Sequence, residues 1–104
     1  MRILVAIRVV PIGTCSTSIS SYVAEVINIL KEKGVKYSLT PFNTAMELTN
    51  LNQLSEILGE VVRRLSSRGV SRLAIDVQLD VRLDKEITLE YKVNSVLEKL
   101  QPST

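Results

Sequence analysis

Along residues 3–10 the side chains alternate, with Ile3, Val5, Ile7 and Val9 on one face and Leu4, Ala6 and Arg8 on the other. A period of two carried by β-branched residues fits an extended strand with one buried face, and it does not fit a helix, whose apolar positions recur every three or four residues. The same period returns at 72–80, where Leu73, Ile75, Val77 and Leu79 alternate with Arg72, Ala74, Asp76, Gln78 and Asp80. Between these strands the period twice becomes helical. Ile19, Tyr22, Val23, Val26, Ile27 and Leu30 form one stripe over residues 18–33, which Gly34 ends with a left-handed stop. Leu51, Leu54, Leu58, Val61, Val62 and Leu65 form a second stripe, opened by Asn50 and Gln53 as a capping box and ended by Gly69.

The turn around Pro11 and Gly13 closes the first strand. Lys36–Thr40 reads as a short strand, Pro41–Asn43 as a turn and Thr44–Leu48 as an antiparallel return; Pro41 has no N–H to donate, which favours a sheet edge. After residue 80 a charged turn leads to Thr88, the predicted cap of a third helix with Leu89, Val93, Val96, Leu97 and Leu100 on one stripe; Gln101–Thr104 are predicted to fray. The order predicts an α+β, ferredoxin-like βαββαβ sandwich: a four-stranded antiparallel sheet with two helices on one face, plus a C-terminal helix. At 104 residues the chain is expected to form a single domain over 1–104. The uncovered sheet face would display Leu4, Ala6, Ala45, Ala74 and Gln78, a surface suited to a second sheet or subunit, so a homo-oligomer is expected.

Composition narrows the chemistry. There is no histidine, which removes the commonest general base and metal ligand, and Cys15 is the single cysteine, so neither an intrachain disulfide nor a thiolate cage can form. The acidic run Asp76, Asp80 and Asp84, interleaved with Arg82 and Lys85, matches no calcium loop and suits salt bridges between subunits better than a metal. Arg63 with Arg64, and Lys31 with Lys33, read as solvated helix faces. The net charge of +2 gives no concentrated basic face, and the strands at 2–10 and 44–48 carry no aromatic platforms, so nucleic acid is not an expected partner. No apolar run approaches a bilayer span and Met1 leads directly into the first strand, so the expectation is a cytoplasmic protein with no membrane contact.

Two clusters carry candidate binding chemistry. Pro11–Ser21 places Thr14, Ser16, Thr17, Ser18 and Ser20 between a strand and a helix, where hydroxyls and backbone N–H groups suit an anion or the polar edge of a heterocycle, or where one serine caps the helix and the rest meet solvent. At the second turn stand Thr40, Asn43, Thr44 and Glu47. Alternation puts Ala45 and Glu47 on the uncovered sheet face, where the carboxylate can pair with Arg8 or accept hydrogen bonds from an amino-heterocycle. Cys15, lacking a histidine partner, reads as inert.

The segments PIGTCSTSISSYVAEV, KGVKYSLTPFNTAMEL and DVRLDKEITLEYKVNSVLEKL, in this order and at these separations, resemble the three characteristic blocks of the thiamine-binding protein family, over almost the whole chain. The resemblance implies a ferredoxin-like fold and dimers or tetramers built through the open sheet faces. It also implies non-catalytic binding of thiamine or its hydroxymethyl-pyrimidine half near subunit interfaces, as carrier, buffer or sensor, with no further cofactor. The family's Ser/Thr block falls on Gly13–Ser20, and its threonine-x-x-glutamate element on Thr44 and Glu47; Phe42 stands where many relatives carry methionine. An aminopyrimidine edge would suit Glu47, Asn43 or Thr44, and its ring would need walls such as Phe42 or Tyr37. The alternative function is a protein-interaction or assembly domain with no small-molecule ligand.

Overall fold

The first apolar alternation becomes the strand around which the rest assembles. In the computed structural model, which describes residues 2–100, β1 (Ile3–Ile12) pairs antiparallel with β3 (Thr44–Leu48) on one edge and β4 (Arg72–Val81) on the other. The short β2 (Tyr37–Leu39) lies outside β3, so the sheet order is β2-β3-β1-β4. Helices α1 (Ser20–Glu32) and α2 (Leu51–Ser67) make the two crossovers, and α3 (Leu89–Leu100) follows β4. The ferredoxin-like α+β fold is therefore present, with Pro41 at the edge hairpin as expected. The tail at 101–104 lies outside the described residues.

Register explains a departure at Pro11. The β1–β3 ladder reaches only to Ile7 opposite Thr44, the first residue of β3, whereas the β1–β4 ladder continues to Ile12 opposite Arg72. Pro11 therefore sits inside β1, facing Leu73, and not in the turn; with the β1–β3 ladder already ended on its other edge, its missing N–H leaves no ladder bond unmade there. The turn itself follows, with Gly13 at φ +80°.

The core lies between the sheet and α1 and α2. Ile3, Val5, Ile7 and Val9 of β1, with Met46 and Leu48 of β3, meet Val26, Ile29 and Leu30 of α1 and Leu54, Ile57, Val61 and Leu65 of α2. Ile57 and Ile29 take core places that the expected stripes omitted, while Leu51 and Val62 are exposed, because the apolar arc of α2 is rotated about one position toward the Leu54–Val61 line. Asn50 and Gln53 form the expected capping box, Asn50 Oδ1 accepting from Gln53 N at 2.9 Å. α1 begins at Ser20 and not at 18, and no side chain caps it. Both helices end alike: Val35 N donates to Leu30 O and Val70 N to Leu65 O, each across a left-handed glycine, Gly34 or Gly69.

Two expectations about exposure are corrected. Val77, Leu79 and Val81 alternate onto the helix side of the sheet, yet they are exposed, Leu79 by 50%, because β4 is an edge strand beyond the reach of α1 and α2. On the opposite face Leu4 is buried and not displayed, and Leu89 and Lys92 at the start of α3 line the same groove. From there α3 runs with Val93, Val96, Leu97 and Leu100 exposed, so its apolar stripe finds no partner among the described residues. Among the described residues no helix is long and apolar enough to cross a membrane.

Candidate functional site

Where β3 stops short of β1, the sheet leaves a corner that α1 does not fill. Its first turn, the β2–β3 turn and the middle of β1 enclose a recess of about 400 Å3. Ile7, Val9, Val23, Val26 and Leu39 give it apolar walls, and Ser18, Ser20, Asn43 and Thr44 bring hydroxyl and amide groups to them. Mostly apolar walls with a few converging polar groups are the usual make-up of a site for a small organic molecule. Among the described residues, Arg8 is the one charged residue in the lining.

The turn on one side of the recess is tightly tied. Thr40 Oγ1 accepts from Phe42 N at 3.2 Å and from Asn43 N at 3.0 Å, and Thr40 N donates to Asn43 O at 2.9 Å. Four bonds among three residues, counting that from Thr40 Oγ1 to Asn43 Oδ1 at 2.9 Å, hold Asn43 in place and turn Phe42 outward, 80% exposed. The turn is thus a small rigid platform built on a threonine hydroxyl.

On the other side, the Ser/Thr loop divides. Ser18 and Ser20 reach the recess, their hydroxyls 3.4 Å apart. Thr14, Ser16 and Thr17 lie outside its lining: Thr14 Oγ1 donates to Ser16 O and Ser16 Oγ accepts from Ser18 N, so these groups shape the loop. Cys15 holds a left-handed φ of +59° and is exposed.

Thr44 and Glu47 are three residues apart on a strand and so face opposite ways. Thr44 is buried on the recess side; Glu47, its side chain 9% exposed, is on the other face. Glu47 does not pair with Arg8. Its Oε1 accepts from the backbone N–H of Leu89 at 2.8 Å and its Oε2 lies 3.7 Å from Lys36 Nζ, while Arg8 lies 3.6 Å from Asp76. Lys36 also donates to Glu90 at 2.7 Å, which raises the lysine's pKa and lowers that of the Glu90 carboxyl. The sheet face carrying Glu47 thereby anchors the start of α3.

Other charges also form ion pairs. Asp80 binds Lys92, and Asp84 binds Arg82, which lowers the Asp84 carboxyl to about 2. Arg64 is not a merely solvated charge: it bridges Glu32 of α1 and Glu60 of α2, and this contact raises its pKa. Among the described residues no three His, Cys, Asp or Glu side chains are grouped to hold a metal ion.

Sequence reasoning placed Ser18, Ser20, Asn43 and Thr44 among the candidates, and the fold brings them together. It did not place Arg8, Val9, Val23 and Leu39 around them. The available signal was the hydroxyl-rich segment immediately preceding the Val23 and Val26 stripe.

Comparison with known proteins gives the family and the fold. The model of the family described as thiamine-binding protein matches residues 5–97. The UPF0045 protein YqgV of Bacillus subtilis is 39% identical over 100 residues, covering 92% of this chain and 95% of YqgV. A UPF0045 protein of Methanothermobacter thermautotrophicus is 36% identical, over 90% of this chain and 95% of its own. The crystal structure of MJ1052 from Methanocaldococcus jannaschii superposes with a TM-score of 0.80 at 25% identity, covering 93% of this chain and 97% of that one. A Thermotoga maritima structure, described as a candidate thiamine biosynthesis or salvage protein, shares the fold with a TM-score of 0.76 at 24% identity, covering 92% and 99%. With its family model matched from residue 5 to residue 97, the chain belongs to the thiamine-binding protein family.

Proposed function

We propose that the chain binds thiamine or its hydroxymethyl-pyrimidine half without transforming it, as a carrier, buffer or sensor, and that the recess between α1, β1 and the β2–β3 turn is the site. The observation that carries this reading is the convergence of Ser18, Ser20, Asn43 and Thr44 on walls made by Ile7, Val9, Val23, Val26 and Leu39. An aminopyrimidine presents alternating donors and acceptors on one edge and a flat apolar face, which hydroxyls and an amide on apolar walls complement. Among the described residues the lining holds no carboxylate, thiol, lysine or histidine to move a proton or attack a carbon, which supports binding over catalysis. Family membership points the same way. The apolar stripe of α3 and the edge of β4 favour a homo-oligomer, dimer or tetramer, in which the recess lies near a second subunit.

Calorimetric titration with thiamine, its phosphates and free hydroxymethyl-pyrimidine tests the reading. At a hundred times the dissociation constant a ligand stabilises the folded chain by about 2.7 kcal/mol, enough to raise the melting midpoint by several degrees. Absence of heat and of thermal shift with all of them would transfer the function to the assembly surface on α3.

A further inference from the structure

The recess is uneven in charge, and one residue at its rim compensates. Phe42 is the chain's only phenylalanine, and it is turned outward by the Thr40–Asn43 hydrogen bonds with 80% of its surface in water. It lines the recess, and it also lines a second groove on the other face of the sheet with Ala6, Asp76 and Gln78; Arg8 and Asn43 are shared by both. Among the described residues the recess has no carboxylate, and Asp76, 3.6 Å from Arg8, is the acidic group of the neighbouring groove.

Thiamine joins a neutral aminopyrimidine to a permanently cationic thiazolium ring. A cation near Arg8 with no carboxylate in the lining would be disfavoured inside the recess. The face of an aromatic ring attracts a cation through its quadrupole, and on a turn whose backbone is already tied the residue loses little backbone freedom when it does so. Resting on the assignment of the recess as the ligand site, we infer that Phe42 is a specificity-determining residue that receives the thiazolium ring at the rim, on the side of Asp76, while the pyrimidine occupies the recess. Phe42 thereby selects whole thiamine over the free neutral pyrimidine.

Titrations of the full chain with thiamine and with hydroxymethyl-pyrimidine, in the parent and in Phe42→Ala and Phe42→Trp, test this. Phe42→Ala is expected to weaken thiamine about tenfold, the scale of a partly desolvated cation–π contact, while pyrimidine affinity changes little. Phe42→Trp, which introduces the chain's only tryptophan, is expected to restore thiamine binding and to show quenching of its emission by thiamine but not by the pyrimidine. The side chain is exposed and the turn is tied through other groups, so both variants should melt like the parent. Equal loss of both ligands in Phe42→Ala, or no loss of thiamine, overturns the inference while leaving the recess as the site. A parent protein that binds neither molecule overturns the site and this inference together.

Discussion

Glu47 Oε1 lies 2.8 Å from the backbone nitrogen of Leu89, the first residue of α3, although 42 positions separate them in the chain. An anion at a helix N-terminus is stabilised by the unpaired N–H groups and the helix dipole, and here Thr88 Oγ1 accepts from Tyr91 N at 2.9 Å to complete the cap. The carboxylate on the open face of the sheet thus holds α3 to β3. Lys36, between Glu47 and Glu90, ties the same helix to the residue just ahead of β2.

Replacing Glu47 separates this structural part from ligand binding. Glu47→Ala is expected to cost about 1–3 kcal/mol through the charged hydrogen bond and to speed amide exchange at Leu89 and Tyr91. Thiamine affinity should stay close to that of the parent, because Glu47 and the recess are on opposite faces of β3. A large loss of affinity with α3 exchange unchanged would move the ligand to the Glu47 face.

Acid should loosen α3 from its start. The Glu90 carboxyl is held below its ordinary 4.5 chiefly by the hydrogen bond from Lys36, so the bridge stabilises the folded chain above 4.5 and is lost as pH falls through the lowered value. Exchange protection at the first turn of α3 is therefore expected to decline as pH drops below 4.5, while the Asp84–Arg82 pair persists to about 2. Lys36→Met should move the Glu90 midpoint, followed by carbon NMR, back up toward 4.5; a midpoint that stays put would remove Lys36 as the cause.

The exposed stripe predicts the assembly surface. Val93, Val96, Leu97 and Leu100 on α3, with Val77, Leu79 and Val81 on β4, are apolar side chains that the lone chain leaves in water. Sedimentation should find a dimer or tetramer at micromolar concentration. Leu97→Glu or Leu79→Glu is expected to yield monomers with the Ile57 and Leu65 core intact, and full assembly of both variants would place the interface elsewhere.

Local chemistry was legible in the sequence wherever one segment decides its own structure. The alternation in 3–10 and 72–80, the Asn50–Gln53 box and the Gly34 and Gly69 stops depend on neighbours a few residues away. What distant segments decide was not legible. Pro11 stays in its strand because the β1–β3 ladder stops at Thr44, Leu79 is exposed because β4 is at the edge, and Glu47 finds Leu89 only after α3 folds back. The recess likewise needs Arg8, Ser18 and Asn43 to meet, which three separate elements bring about.

The hydroxyls of the recess give the sharpest test of where the ligand sits. Thr44 is 3% exposed, and Thr44→Val keeps its shape while removing the hydroxyl, so the fold should hold or gain slightly. If the pyrimidine edge bonds there, affinity falls by about 0.5–1.5 kcal/mol, and Ser18→Ala, remote in sequence but on the same recess, should cost a similar amount. Thr17→Ala, in the same loop but outside the lining, serves as the matched control and should leave affinity unchanged. Calorimetry on these three variants distinguishes the recess from the loop: a loss confined to Thr17→Ala would place the ligand on the exposed Ser/Thr segment, whereas losses at Ser18 and Thr44 together fix it between α1 and β3.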